Sequence, residues 1–160
     1  MCGNRPIVAV HWRSKLDEIC TDKSAVISSK SACQKKEEFL LKSASTLPKA
    51  YDLQCIYVSQ PPSIKRGIVK YLSPRIPKVY SSVDVIAMAN KLSPKPSVFS
   101  DDYFLSLVEQ EICEGAAIFI SGKNSAWASF VRHNREKSPN AKPSVYLSDL
   151  PDMPNYIDLI

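Results

Sequence analysis

Three groups of side chains in this sequence are of the kind that can hold a ligand, two of them suited to an anion and one to a pair of hydrogen-bond donors. The first is the triplet His11-Trp12-Arg13, at the end of the run PIVAVHW (residues 6–12). In an extended chain alternate residues point the same way, so His11 and Arg13 share a side. An arginine at a strand's carboxyl end offers a phosphate its planar fork of donors. Standing alone, the triplet reads better as a structural histidine beside a surface arginine. The second group is the loop SGKNS (residues 121–125), between the apolar run AIFIS and an amphipathic segment over 125–135. The leading N–H groups of a helix lack intrahelical partners, and Ser125 can cap the helix or contact an oxyanion. A plain Asn/Ser cap accounts for the loop equally well, and GxxxxGK[ST] is absent. The third is Glu109 in VEQEIC, whose carboxylate matches the two parallel donors of a guanine edge. Spacing alone favours a solvated glutamate there, and Glu111 and Glu114 read as exposed.

The elements around these groups alternate. Strand-like runs lie at 6–12, 52–59, 76–81 and 117–121. Between them, residues 34–47 place Phe39, Leu40, Ala44 and Leu47 on one helical face. Residues 61–72 open on prolines, which a first helical turn tolerates, and 83–92 is a shorter helix. Residues 101–114 give the clearest helix, with Ser100 and Asp101 as caps, Phe104, Leu107, Val108, Glu111 and Ile112 at helical spacing, and Gly115 as the stop. Pro139, Pro143, Pro151 and Pro154 then break any long element, so 138–160 is expected to be a largely irregular Pro-rich tail. Alternating strands and helices predict an α/β fold: a Rossmann-like parallel sheet with helices on both faces. Its ligands bind beyond the carboxyl ends of the strands, where HWR and SGKNS fall.

With 160 residues, 44% apolar and 23% charged, the composition is that of one soluble globular domain. No apolar run is long enough to span a membrane, and the first residues lack a signal-peptide pattern. Taken as a complete chain it is expected in the cytoplasm. The net charge of +5 suits a phosphate-bearing ligand, while no basic stripe interleaved with aromatics points to nucleic acid. The five cysteines, Cys2, Cys20, Cys33, Cys55 and Cys113, form no CxxC pair, which argues against zinc. Cys55 and Cys113 read as buried core thiols, and Cys20 and Cys33 flank a Ser-rich stretch where a disulfide can form in an oxidising compartment. Cys113 and His133 are poor catalytic candidates: the thiol lies on an apolar side, and His133 sits with Arg132 and Arg135 on what reads as a solvated basic face.

The combined pattern is similar to the protein O-fucosyltransferase superfamily. VEQEICEGAAIFISGKNSAWASFVRHNRE resembles its C-terminal signature: V-D-Q-x-I-C, a small-residue step, an apolar strand ending in Gly, S-T-F-S, and an Arg downstream. Val108, Gln110, Ile112, Cys113, Ala116, Phe119, Ile120, Ser125 and Arg135 hold its positions. HWR resembles the family's H-x-R-R, and the likeness covers roughly residues 6–136. The type 2 branch of the family is the nearest pattern.

The resemblance implies the C-terminal half of a GT-B glycosyltransferase, with residues 1–137 as the GDP-sugar-binding domain and the acceptor-side domain missing from this stretch. It implies GDP-fucose as donor substrate, no cofactor or metal, and inverting transfer of fucose to a Ser or Thr hydroxyl of an acceptor protein. Arg13 would hold the β-phosphate and stabilise the departing GDP, with His11 beside the nucleotide. Glu109, where the family has Asp, would read guanine, and Ser125 with the backbone of Ala126 and Trp127 would bind the diphosphate. The family's compartment is the lumen of the endoplasmic reticulum or Golgi. Ser14 replaces the second arginine of the motif, Ala126 a hydroxyl residue and Trp127 a phenylalanine. Those departures allow a second reading, a non-catalytic α/β interaction module or degenerate pseudoenzyme built on the same fold.

Overall fold

The computed structural model describes residues 2–3, 5–13, 29–61, 67–92 and 102–153. Five parallel strands form one sheet in the order β3-β2-β1-β4-β5: β1 is Val8–His11, β2 Cys55–Ser59, β3 Lys78–Ser81, β4 Ile118–Ser121 and β5 Ser144–Tyr146. Strands buried on both faces must be apolar at successive rather than alternate positions. VAV, CIYV and IFI meet that demand, and every residue of β1 and β2 is buried. Each of the first four strands then ends in one polar residue: His11, Ser59, Ser81 and Ser121.

From β1 the chain builds β2 and β3 on one side, then returns to lay β4 and β5 on the other. Right-handed crossovers in opposite directions put their helices on opposite faces. One core sets Val8, Val10 and Trp12 against Phe39 and Leu47 of α1 (Ser29–Tyr51) and Leu72 of α2 (Val69–Leu72). The other sets Ala9, Tyr57 and Phe119 against α3 (Ser82–Leu92), α4 (Asp102–Gly115) and α5 (Ala126–Lys137). The expected Rossmann-like α/β class is the fold observed.

Several local expectations need correction. Residues 138–160 are not simply irregular: Ser144–Tyr146 pairs in parallel with β4, a 3-10 turn follows at Leu147–Asp149, and Leu147, Leu150 and Met153 complete the first core. Of the helix expected over 61–72, the described part is a turn at 67–68 and then Val69–Leu72 only. The helix expected to stop at Leu47 runs on to Tyr51 with Pro48 in its last turn, and Asp52, at φ 47°, supplies the left-handed stop. On α4 the buried positions are Leu105, Glu109 and Cys113, whereas Phe104 and Leu107 are 36% and 41% exposed. The helix is rolled by one position because Glu109, polar by type, finds hydroxyl donors beneath it. Ser14, Cys20 and the Ser100-Asp101 cap lie outside the described residues.

Cys55 is not a free core thiol. It forms a disulfide with Cys2, the Cα atoms 6.0 Å apart, and so pins the segment before β1 to the start of β2. Cys113 is the free, buried thiol among the described residues, and Cys33 is disulfide-bonded. Cys33 lies inside the loop closed by Cys2 and Cys55, so the chain there is already partly restrained. Cys2→Ser is therefore expected to cost about 2 kcal/mol, the low end of the range for loop-closing disulfides. Urea denaturation of the variant checks this, and an unchanged midpoint would contradict it.

Candidate functional site

The register places a polar row across the carboxyl edge of the sheet. His11 is abreast of Ser59 on one side and Ser121 on the other, and Ser121 is abreast of Tyr146. The strand order reverses between β1 and β4, which is where such sheets open a crevice for ligands. His11 and the SGKNS loop flank that point.

Ser125 is the N-cap of α5: with extended backbone at φ −104° and ψ 115°, its Oγ accepts from the N–H of Ala128 at 3.2 Å. The same Oγ lies 3.2 Å from His11 Nε2. The His11 ring stacks on Trp127, centroids 4.4 Å apart and planes inclined by 16°. Trp127 in turn donates from Nε1 to Ser106 Oγ of α4 at 2.8 Å. Residues 114 positions apart in sequence thus meet at one spot. The helical ladder cannot reach the N–H groups of Ala126 and Trp127, and Ala126 is exposed.

His11 is only 8% exposed. Burial, and then the charges of Arg13 and Arg132, lower its pKa from 6.5 to about 4, so the imidazole is neutral at pH 7. Its Nδ1 is buried with no hydrogen-bond partner. Arg13 follows the buried Trp12 and is exposed, close enough to His11 to act on its charge.

Glu109 is not the solvated glutamate that its spacing suggested. It is 7% exposed, and its Oε1 accepts from Tyr57 Oη at 2.7 Å and Ser82 Oγ at 2.5 Å. Ser59 hydrogen-bonds it as well, and burial raises its pKa above the usual carboxylate range. Burial and the Glu109 charge push the Tyr57 phenol upward, which keeps it a donor. Glu109 thus braces the ends of β2 and α3 from behind, while His11, Ser125 and Trp127 touch one another directly. Glu111 is exposed as expected, and Glu114 is half-buried, accepting from Asn134 Nδ2 at 2.7 Å.

The basic face expected on α5 is also corrected. His133 is exposed, but Arg132 and Arg135 are 8% and 2% exposed. Arg132 donates to Ser121 Oγ, to the Gly122 carbonyl at 3.3 Å and to Ser129 Oγ at 2.9 Å, and its guanidinium lies 4.5 Å from the Tyr146 ring centroid. The signal for this was present in the spacing. Ala128, Val131, Arg132 and Arg135 fall on one helical face, and the charges alone made that face read as solvated.

No family model matches the sequence, and no curated protein matches it. Among solved structures, the chain is similar in fold to POFUT1 in complex with GDP, with a TM-score of 0.51 and 15% identity over 89% of this chain and 43% of that one. It is similar also to POFUT1 in complex with GDP-fucose, with a TM-score of 0.50 and 15% identity over 89% of this chain and 41% of the other. The chain thus spans less than half the length of the structures it matches. The likeness is one of fold and does not single out the type 2 branch.

Proposed function

We propose that this chain is the donor-binding half of a protein O-fucosyltransferase-like enzyme, which holds GDP-fucose and, in a complete protein, transfers fucose to a Ser or Thr hydroxyl. The observation that carries the proposal is the meeting of His11, at the end of β1, with Ser125, at the head of α5, across the point where strand order reverses. Similarity in fold to proteins crystallised with GDP and GDP-fucose supports it. In this reading Arg13 approaches the diphosphate from the solvent side and takes up charge on the departing GDP. Ser125 and the N–H groups of Ala126 and Trp127 hold the phosphate oxygens. Glu109, whose Oε1 is held by Tyr57 and Ser82, is the candidate reader of the guanine edge and also supports the rim. A hydroxyl acceptor must be held in the same cleft for transfer, and the partner half of the protein would provide that wall. The Cys2–Cys55 disulfide supports an oxidising, secretory-type compartment. Among the described residues no helix is long and apolar enough to cross a membrane.

Titration calorimetry with GDP, GDP-fucose, ADP and UDP tests the assignment. GDP and GDP-fucose are expected to bind in preference to the others. Arg13→Ala is expected to weaken GDP binding about 10-fold or more, the effect of losing one charge-assisted contact. Equal affinity for all four nucleotides, or none for any, would favour the interaction-module reading instead. Ala126, exposed where the family carries a hydroxyl, is the observation on that side.

A further inference from the structure

The loop from β4 to α5 is held from inside by a side chain that the proposal above does not use. Arg132 reaches back from the second turn of α5 to Ser121, the last residue of β4, and to Gly122, the first of the loop. Its other terminal nitrogen donates to Ser129 Oγ at 2.9 Å, within the first turns of the same helix. One guanidinium therefore fastens both ends of the short segment that presents Ser125 and the leading N–H groups. Every acceptor it touches is neutral: a hydroxyl, a carbonyl, a second hydroxyl and the face of Tyr146. Asp149, three residues after Tyr146, is engaged by Lys123 at 3.7 Å. A cation that is only 8% exposed and meets no carboxylate among the described residues is costly to bury. The fold keeps it directly behind the loop and near His11, where an anionic ligand would offset it.

We propose that Arg132 is the positioning residue of this site: its fork fixes the 122–125 loop in the shape a diphosphate needs, and its charge, unmatched by any carboxylate of the described residues, is the fixed positive pole beneath that loop. The inference rests on the anion-binding reading above. It also explains how the site manages with Ser14 in place of a second arginine, since a cation reaches it from α5 rather than from the strand β1.

The test uses the whole 160-residue chain with Arg132→Gln and Arg132→Lys, each checked for native circular dichroism. The ligands are GDP and inorganic pyrophosphate, measured by calorimetry, and the His11 imidazole is titrated by NMR. Arg132→Gln is expected to weaken both ligands about 10-fold or more, and Arg132→Lys to weaken them less. The His11 midpoint, about 4 in the native chain, should rise part of the way towards 6.5 in the glutamine variant, since burial and Arg13 remain, and stay near its native value in the lysine variant. A folded glutamine variant that binds pyrophosphate like the native chain, or leaves the His11 midpoint unmoved, overturns the inference. Should the native chain bind neither ligand, the donor-site reading falls, and Arg132 is then judged on the His11 midpoint alone. If the glutamine variant does not fold, a lysine variant with native affinity and an altered His11 midpoint contradicts the proposal.

Discussion

Arg135→Met is expected to destabilise the chain by about 3–5 kcal/mol, as large an effect as most single substitutions reach. The side chain is 2% exposed and serves four backbone carbonyls at once. Its Nη1 donates at 2.8 Å to each of Cys113, Glu114 and Ala116, its Nη2 at 2.8 Å to Pro143, and its Nε at 3.1 Å to Ser144 Oγ. Cys113 and Glu114 belong to the last turn of α4, where a helix leaves carbonyls without donors, and Pro143 leads into β5. One arginine thus closes a helix and docks the fifth strand. Methionine fills similar space but leaves those acceptors dry, at about 1–3 kcal/mol for each group that water cannot reach. Partial wetting at the chain's edge keeps the total below the simple sum. Lysine has one nitrogen and no fork, so Arg135→Lys should recover less than half of the loss. Urea denaturation gives the free energies, and hydrogen exchange should show β5 opening first. A loss below about 1 kcal/mol would mean that the carbonyls find water and the clamp is dispensable.

That clamp also shows where sequence reading succeeds and where it stops. The parallel strands were legible because burial on both faces demands apolar runs, and VAV, CIYV and IFI are such runs. Ser125 was legible as a cap because the helix ladder starves its first N–H groups. The approach of His11 to Ser125 was implied by topology, since both follow strands that end at the same edge. Arg132, Arg135 and Glu109 were misread for one shared reason. Side-chain type argues for solvent, and only the tertiary surroundings reveal the hydroxyls and carbonyls that make burial tolerable. On α4 the error moved a whole face, because a buried glutamate looks like the polar side of a helix until Tyr57 and Ser82 are seen against it. The fifth strand was missed for a different reason: SVY is three residues long and follows a proline, and its pairing with Phe119, Ile120 and Ser121 is what makes it a strand.

His11 should make the fold sensitive to acid, and a difference measurement isolates it. Its pKa is about 4 in the folded chain against 6.5 for the exposed side chain. Between those values the unfolded chain binds the proton more readily, so stability falls as pH drops from 6.5 towards 4. The gap corresponds to at most about 3–4 kcal/mol at 1.36 kcal/mol per pH unit. Glu109 works in the opposite sense. Burial raises its pKa, the folded chain holds that proton more tightly, and its contribution declines as pH rises above 4.5. The two groups therefore offset each other in the native protein, and a single stability curve would hide both. Subtracting the curve of His11→Gln from that of the native chain removes Glu109 and leaves the imidazole. The difference should be flat above pH 7 and fall through the acid window. A difference that stays flat down to pH 4 would show that the folded imidazole titrates normally. It would then be solvated, and the two arginines would exert no field on it. The result bears on function, because the arginine charges that add to burial in refusing a proton to His11 are those proposed to hold an anion. Filling the site with pyrophosphate should offset them and shift the His11 midpoint upward, with uptake of protons from buffer. Binding without any such shift would place the anion elsewhere on the molecule.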